Sequence, residues 1–330
     1  MSEVLNILSL TGDGLAKLYA DRVEPILRVQ EENRRAAMKT FQFRAVLTAL
    51  GAVGAGALAW WIFAEPQAVF FAGIATAMGG GTLAYMPLQA VASATKAQSL
   101  TAIANAIGCN YQGAAFQPEA LPEFKELRLL PSCDRSSFED CFDGIHHGCR
   151  FAFYEGHLEN KVQSKNGTRW VTVFRGQLVR IAFPKKFHGT TIIRRDRGMF
   201  NFMQRWMSTL QHVGLGDSRL EKAFEVYSND QVEARYLIHP VFMERLLEVE
   251  TAFKGKNLRG AFVEGDLLIA IEGGDKFEVG SMFSNLNDIA RARAIVADIT
   301  EIMRLIDAVL TAEQGALPNR TGPASPSPSA

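Results

Sequence analysis

The stretch GAVGAGALAWWIFAEPQAVFFAGIATAMGGG, Gly51 to Gly81, carries one charged residue, Glu65, beside Pro66. From Ala45 to Ala64 every residue is uncharged, and a second uncharged run extends from Gln67 to Thr95. A helix rises about 1.5 Å per residue, so about 20 residues span the ~30 Å hydrocarbon layer of a bilayer. Each run is long enough, and only Glu65-Pro66-Gln67 separates them, a polar break whose proline resists helix continuation. The two segments must return antiparallel. A buried helical hairpin in a soluble bundle would show a polar stripe, and none is visible. The expectation is therefore a transmembrane hairpin over residues 45–92, with spans 45–64 and 68–88.

Small residues recur at four-residue spacing in both spans, Gly51, Ala55 and Ala59 in the first and Gly73, Ala77 and Gly81 in the second. Such faces let helix backbones approach closely in lipid, although Ala and Gly also simply fill membrane helices. Trp60, Trp61 and Tyr85 fall near span ends, as interfacial anchors do. Arg34, Arg35, Lys39 and Arg44 precede the first span, Lys96 follows the second, and the connecting turn has no Lys or Arg. The positive-inside rule then puts both ends of the chain on the cytoplasmic side of an inner membrane. Thr76 and Thr82 are the clearest hydrogen-bonding side chains within the spans; without ionisable groups the pair makes a poor ion pathway.

The segment MSEVLNILSLTGDG lacks a basic leader and a cleavage site, so no secretory signal is expected. Cys109, Cys133, Cys141 and Cys149 then read as free thiols in a reducing compartment. Lys+Arg and Asp+Glu both number 35, which lacks the basic excess of a nucleic-acid binder. Residues 1–44 read as a cytoplasmic amphipathic helix with Leu15, Leu18, Tyr19, Val23, Ile26, Leu27 and Val29 on its apolar face. That face has three possible neighbours: the C-terminal domain, another copy of the chain, or lipid.

Residues 93–312 read as a cytoplasmic α+β domain. RFAFYEGHLENKV, TRWVTVFRGQLVRIAF and GTTIIRR alternate as strands, with the SKNGT turn between the first two. LEKAFEVYSND, EARYLIH, LRGAFVEG and LLIAIEG read as a second strand cluster, with a helix after Pro240. A long amphipathic helix follows from Asn287 to Thr311, and the Pro/Ser-rich tail, 313–330, reads as disordered. The fold class is a membrane-anchored α+β protein: a two-helix hairpin, a mostly antiparallel sheet and a long C-terminal helix. A pleckstrin-homology-like barrel also suits that element order.

The stretches FEVYSNDQVEARYLIHPVFMERLLEV, from Phe224 to Val249, and VFRGQLVRIAFPKKFHGTTIIRRD, together with the preceding hairpin, resemble the bacterial domain-of-unknown-function 3137 family. The likeness runs from about Leu15 to Leu310. It implies a membrane protein with a cytoplasmic α+β domain, and members are often encoded near LemA-type membrane proteins. The family supplies no catalytic residues. In its motif, Ser228, Asn229 and Asp230 form a polar turn, Asp230 could pair with Arg235 in competition with Glu233, and His239 before Pro240 shapes a strand-to-helix junction.

Two further clusters invite chemistry. Cys133, Cys141, His146, His147 and Cys149 offer zinc-type ligands, but without the short Cys-x-x-Cys pair; core cysteines and surface histidines are the plainer reading. Lys185, Lys186, Arg194, Arg195 and Arg197 would suit an anionic headgroup or ligand, or a solvated strand edge. No catalytic spacing, nucleotide loop or cofactor motif stands out. The functional expectation is a non-enzymatic binding or scaffolding module at the membrane face. Its expected partners are lipid and a protein or a second copy, LemA-type proteins included, with no nucleic acid. The alternative is a tethered enzyme or metal-binding protein using residues 133–149.

Overall fold

The computed structural model describes residues 14, 16–17, 19–113, 116–164, 167–184, 186–195, 209–274 and 289–315. Leu15, Leu18, the Lys165-Asn166 turn, Lys185, Arg197 and most of the tail lie outside them. The chain divides into two compact units, one holding the helical hairpin and the other the sheet with most of the C-terminal helix.

In the first unit a single π-type turn, Tyr19–Val23, runs into α1, Glu24–Phe63, which opens with Pro25 in its first turn. The amphipathic segment and the first apolar run are thus one continuous helix. Ala64 ends it in the left-handed conformation, donating its N–H to the Trp60 carbonyl at 2.8 Å, and Pro66 begins α2, Pro66–Ala106. Both helices are long and apolar enough to cross a membrane, and only 11% and 6% of their most apolar 18-residue windows are buried. Leu50, Val53, Trp61, Phe63, Phe71 and Met78 project outward. A soluble core helix of this composition would be mostly enclosed.

Pro87 lies inside α2, where it has no N–H to offer the Leu83 carbonyl four residues earlier. Arg44 of α1 supplies the missing donor, its Nη1 reaching Leu83 O at 3.1 Å. Below that level Ala37 and Leu88 pack with Met38, Phe41, Val91 and Ala92, and Gln30 bonds Gln98 and Thr95. Thr76 and Thr82 spend their hydroxyls on their own helix, at Ala72 O and Gly79 O.

The seam between the helices differs from the four-residue ladder expected. A Cβ added at Gly73 or Gly81 would meet nothing within 4 Å, and Ala77 is exposed. The close approaches are at Gly51, facing Thr76, Gly56, facing Val69, and above all Gly80, where a Cβ would come within 3.1 Å of Thr48 Cβ and closer to its Cγ2 and Oγ1. Ala55 is half-buried and Ala59 buried, as expected of the α1 face. On α2 the facing set is Val69, Thr76 and Gly80, a spacing of seven and then four that follows the seam as two helices wind about each other.

The second unit is built on one antiparallel sheet of nine strands in the order β1-β2-β3-β4-β9-β8-β5-β7-β6. The strands are β1 (Asn110–Gln112), β2 (Arg135–His146), β3 (Cys149–Ser164), β4 (Gly167–Ala182), β5 (Thr191–Arg195), β6 (Gln211–His212), β7 (Phe224–Ser228), β8 (Lys256–Val263) and β9 (Asp266–Glu272). The order is open, ending at β1 and β6, so a small closed barrel does not form. EARYLIH is not a strand. Its residues 233–237 lie in α5, Gln231–Leu237, which Asp230 caps by accepting from Val232 N and Glu233 N. LEKA likewise belongs to a short helix, α4, Ser218–Ala223, capped by Asp217.

Register places alternate residues on opposite faces. Across one face run Ala152, Arg180, Leu268, Ala261, Ile192 and Tyr227; across the other run Phe151, Ile181, Leu267, Phe262, Thr191 and Ser228. The first face is covered by residues 116–130, which include α3, Leu121–Glu126, with Phe124, Leu129 and Leu130 packed on Phe138, Tyr154 and Leu178. The second lies under α6, Pro240–Ala252: Phe242 meets Phe262, and Phe253 meets Phe153, which stacks on Phe142 at 5.0 Å. The last helix, α7 (Ile289–Gly315), buries Ile299, Ile302, Met303, Ile306 and Val309 in this unit.

The two glycine environments give a direct check on the seam. Gly81→Ala should raise hairpin stability by about 0.5–1 kcal/mol through helix propensity, whereas Gly80→Ala should lower it by about 1–3 kcal/mol through overpacking against Thr48. Thermal unfolding of the full chain in detergent reads the opposite signs.

Candidate functional site

The Cys/His segment forms β2, the turn and the start of β3. Pairing of His146 with Cys149 leaves His147-Gly148 as a two-residue turn, with φ of 49° and 79°. Positive φ at both positions is what tight hairpins require, and glycine takes it without steric cost. The cysteines and histidines do not converge on one point. Cys109, Cys141 and Cys149 are buried, Cys133 is half-buried, and all four are free thiols. Burial, then the Asp143 carboxylate, pushes the Cys109 and Cys141 thiols up to about 12. A thiol held this high is a poor nucleophile near neutral pH.

His146 and His147 instead meet Asp307 of α7. His146 is buried and its Nε2 lies 2.8 Å from Asp307 Oδ1; the exposed His147 has its Nε2 3.9 Å from the same oxygen. The two rings are edge-to-face at 4.3 Å. Among the described residues, these three are the group whose ligating atoms lie close enough together to share an ion, all within 4.8 Å. Asp307 was not legible as a site residue. Its one signal is a carboxylate beside the apolar stripe of Met303 and Ile306.

Of the basic cluster, the described residues Lys186, Arg194 and Arg195 have different surroundings. On β5, Arg194 and Arg195 are neighbours in sequence and so face opposite sides of the sheet. Arg194 donates to Arg128 O at 3.0 Å, and burial, then the guanidinium groups of Arg259 and Arg128, pushes it down to about 10. Arg195 forms an ion pair with the buried Glu250 of α6 and stacks on Phe224 at 4.6 Å. Glu250 also accepts from Leu258 N at 3.1 Å. Lys186 is exposed, and Lys185 and Arg197 lie outside the described residues.

The polar motif after β7 works on backbone. Ser228 Oγ accepts from Asp230 N at 3.0 Å, Asn229 Oδ1 from Thr190 N, and Glu233 from His188 N and Gly189 N. Asp230 spends its carboxylate on capping α5, and Arg235 is exposed. His239 caps α6, with Nδ1 accepting from Phe242 N at 3.4 Å and Nε2 3.1 Å from Ala308 O. That junction joins two helices, since the expected strand before it is α5.

A feature not legible in the sequence is a cleft of about 360 Å³ at the edge of the first sheet face, lined among others by Phe116, Cys141, Asp143, Arg150, Tyr154 and Arg180. Tyr154 is buried against Phe116 and Phe138, and its hydroxyl has no hydrogen-bond partner among the described residues. Burial holds its pKa well above the usual tyrosine range, so the group is a neutral donor. Arg180 bridges Asp266 at 2.7 Å and Glu119 at 2.8 Å, tying the 116–120 segment to the sheet. Arg150 is exposed and forms no ion pair among the described residues.

Residues 172–310 match the model of a family described as a protein of unknown function, DUF3137. Over that segment the chain is similar to the DUF3137 family. The DUF3137 segment begins within β4 and ends in α7, so it contains Arg180, the Ser228–Glu233 clamp and Asp307, while the hairpin, β1 to β3, Tyr154 and both turn histidines precede it. No curated protein matches. A solved structure, described as the crystal structure of the mycobacterial trehalose monomycolate transport factor A, TtfA, is similar at 12% identity with a TM-score of 0.31, covering 64% of this chain and 95% of that one.

Two measurements test these placements. A thiol with a pKa near 12 is ionised in about one molecule in ten thousand at pH 8, so alkylation of the native protein should label Cys133 first, with all four cysteines labelled in denaturant. Arg195→Ala leaves Glu250 buried and uncompensated, and should destabilise the protein by about 3–5 kcal/mol. Lys186→Ala should stay within about 0.5 kcal/mol. Denaturant unfolding monitored by tryptophan fluorescence compares the two.

Proposed function

We propose that this chain is a two-span protein of the bacterial cytoplasmic membrane, with both ends cytoplasmic, whose α+β unit binds rather than transforms its ligand. The outward-facing apolar side chains of α1 and α2 support the anchoring. Lipid solvates such a surface, and the helices satisfy their own backbone groups. The arginine that completes the Pro87 break belongs at the rim of that apolar belt, where a guanidinium still reaches water.

One observation carries the binding half: the unpartnered Tyr154 hydroxyl in a residue lining a ligand-sized cleft. A buried donor without an acceptor costs about 1–3 kcal/mol, and a bound molecule with an acceptor oxygen removes that cost. Phe116, Ala152 and Ala182 offer apolar contact, and Arg150 supplies an unpaired positive charge. The ligand class that fits is a small amphiphile with an oxygen acceptor. A protein partner, including the LemA-type proteins implied by the family resemblance, would engage the same unit at the membrane face.

Tyr154→Phe separates a ligand-binding hydroxyl from a structural one. It should raise the stability of ligand-free protein by about 1–3 kcal/mol and reduce the amphiphile recovered by mass spectrometry from full-length protein purified in mild detergent. Ala152→Trp, which fills the cleft, should abolish that recovery. A destabilised Tyr154→Phe protein, or equal recovery from all three, refutes the binding reading. Reporter fusions at Glu65 and at the C-terminus, expected to report opposite sides of the membrane, test the anchor separately.

A further inference from the structure

We propose that His146, His147 and Asp307 form a binding site for a divalent transition-metal ion of the zinc class, joining the β2–β3 turn to α7. The site is independent of the amphiphile cleft. Imidazole nitrogen and carboxylate oxygen are donors that zinc accepts in either structural or open sites. In a tetrahedral site with bonds of about 2.0–2.1 Å, ligand atoms stand about 3.3 Å apart. The separations of 2.8 Å from His146 Nε2 to Asp307 Oδ1 and 3.9 Å from His147 Nε2 to the same oxygen fall on either side of that value. Small side-chain rotations bring three ligands into place.

The arrangement holds more than a structural pair needs. His146, buried at the end of β2, already has its hydrogen bond to Asp307. A second imidazole then approaches the same carboxylate oxygen from the β2–β3 turn. His147 is 62% exposed at its side chain and Asp307 35%, so an ion held here keeps solvent-facing positions for water or a fourth ligand. Uptake would displace the proton shared by His146 and Asp307, so binding weakens as pH falls.

The cysteines are the competing explanation for any metal found in this protein, and the test must tell the two apart. Full-length protein, purified in detergent without a metal-affinity tag and kept reduced, is titrated with Zn²⁺ and, for its visible spectrum, with Co²⁺. One equivalent should bind, without the near-ultraviolet absorption of cobalt–thiolate bonds and without competition from excess Mg²⁺. His147→Asn suits the left-handed turn position and Asp307→Asn preserves shape, so both should fold; unfolding curves confirm it. Each should weaken Zn²⁺ binding at least tenfold. No binding by the unaltered protein, a thiolate band, or undiminished affinity in both variants overturns the site.

Discussion

Two helices of about forty residues, with their apolar runs back to back, leave a long apolar surface exposed among the described residues. The burden falls on the helix–helix seam, since the outward side chains add nothing to the hairpin's cohesion when their surroundings are as apolar as they are. Cohesion comes from close approach at Gly51, Gly56 and Gly80, and from the few polar groups that lack partners on their own helix. Pro87 creates one such group, the Leu83 carbonyl, and Arg44 answers it across the hairpin. A defect in one helix thereby sets its register against the other.

The sheet unit rests on a different constraint. Both faces of a nine-stranded sheet must be covered, and two separate parts of the chain do so. Residues 116–130 close one face and leave the Tyr154 cleft at its margin; α6 covers the other. Charged residues on the strands are drawn into this covering. Arg180, Arg194 and Arg195 each tie the sheet to a covering segment, at Glu119, Arg128 and Glu250. The DUF3137 segment contains all three arginines but, of the two histidines and Asp307, only the aspartate.

Much of this was legible in residue order. The uncharged runs, the break at Pro66, the LRGAFVEG and LLIAIEG strands and the amphipathic last helix all form as read, because each depends on local sequence pattern. Strand β2 was not legible: a bulge between Glu139 and Phe142, with Asp140 at a φ of 55°, breaks its alternation. EARYLIH shows strand-like composition, yet Asp230 with Glu233 three residues later is a helix-start signal, and the cap prevails. Of the small-residue ladder, Gly51 on α1 lies at a close approach, whereas on α2 the approaches fall at Val69, Thr76 and Gly80 rather than at Gly73 and Gly81.

Local sequence determined where helices must run, where they must stop and which runs avoid charge, because those properties belong to a few consecutive residues. Only tertiary structure decided which side chains meet. Consecutive arginines on β5 part to opposite faces, five clustered Cys and His residues reduce to two histidines in reach of one another, and the carboxylate that joins them lies about 160 residues away, at Asp307. Such meetings depend on strand order and on how helices cover a sheet, and no spacing within the chain encodes either.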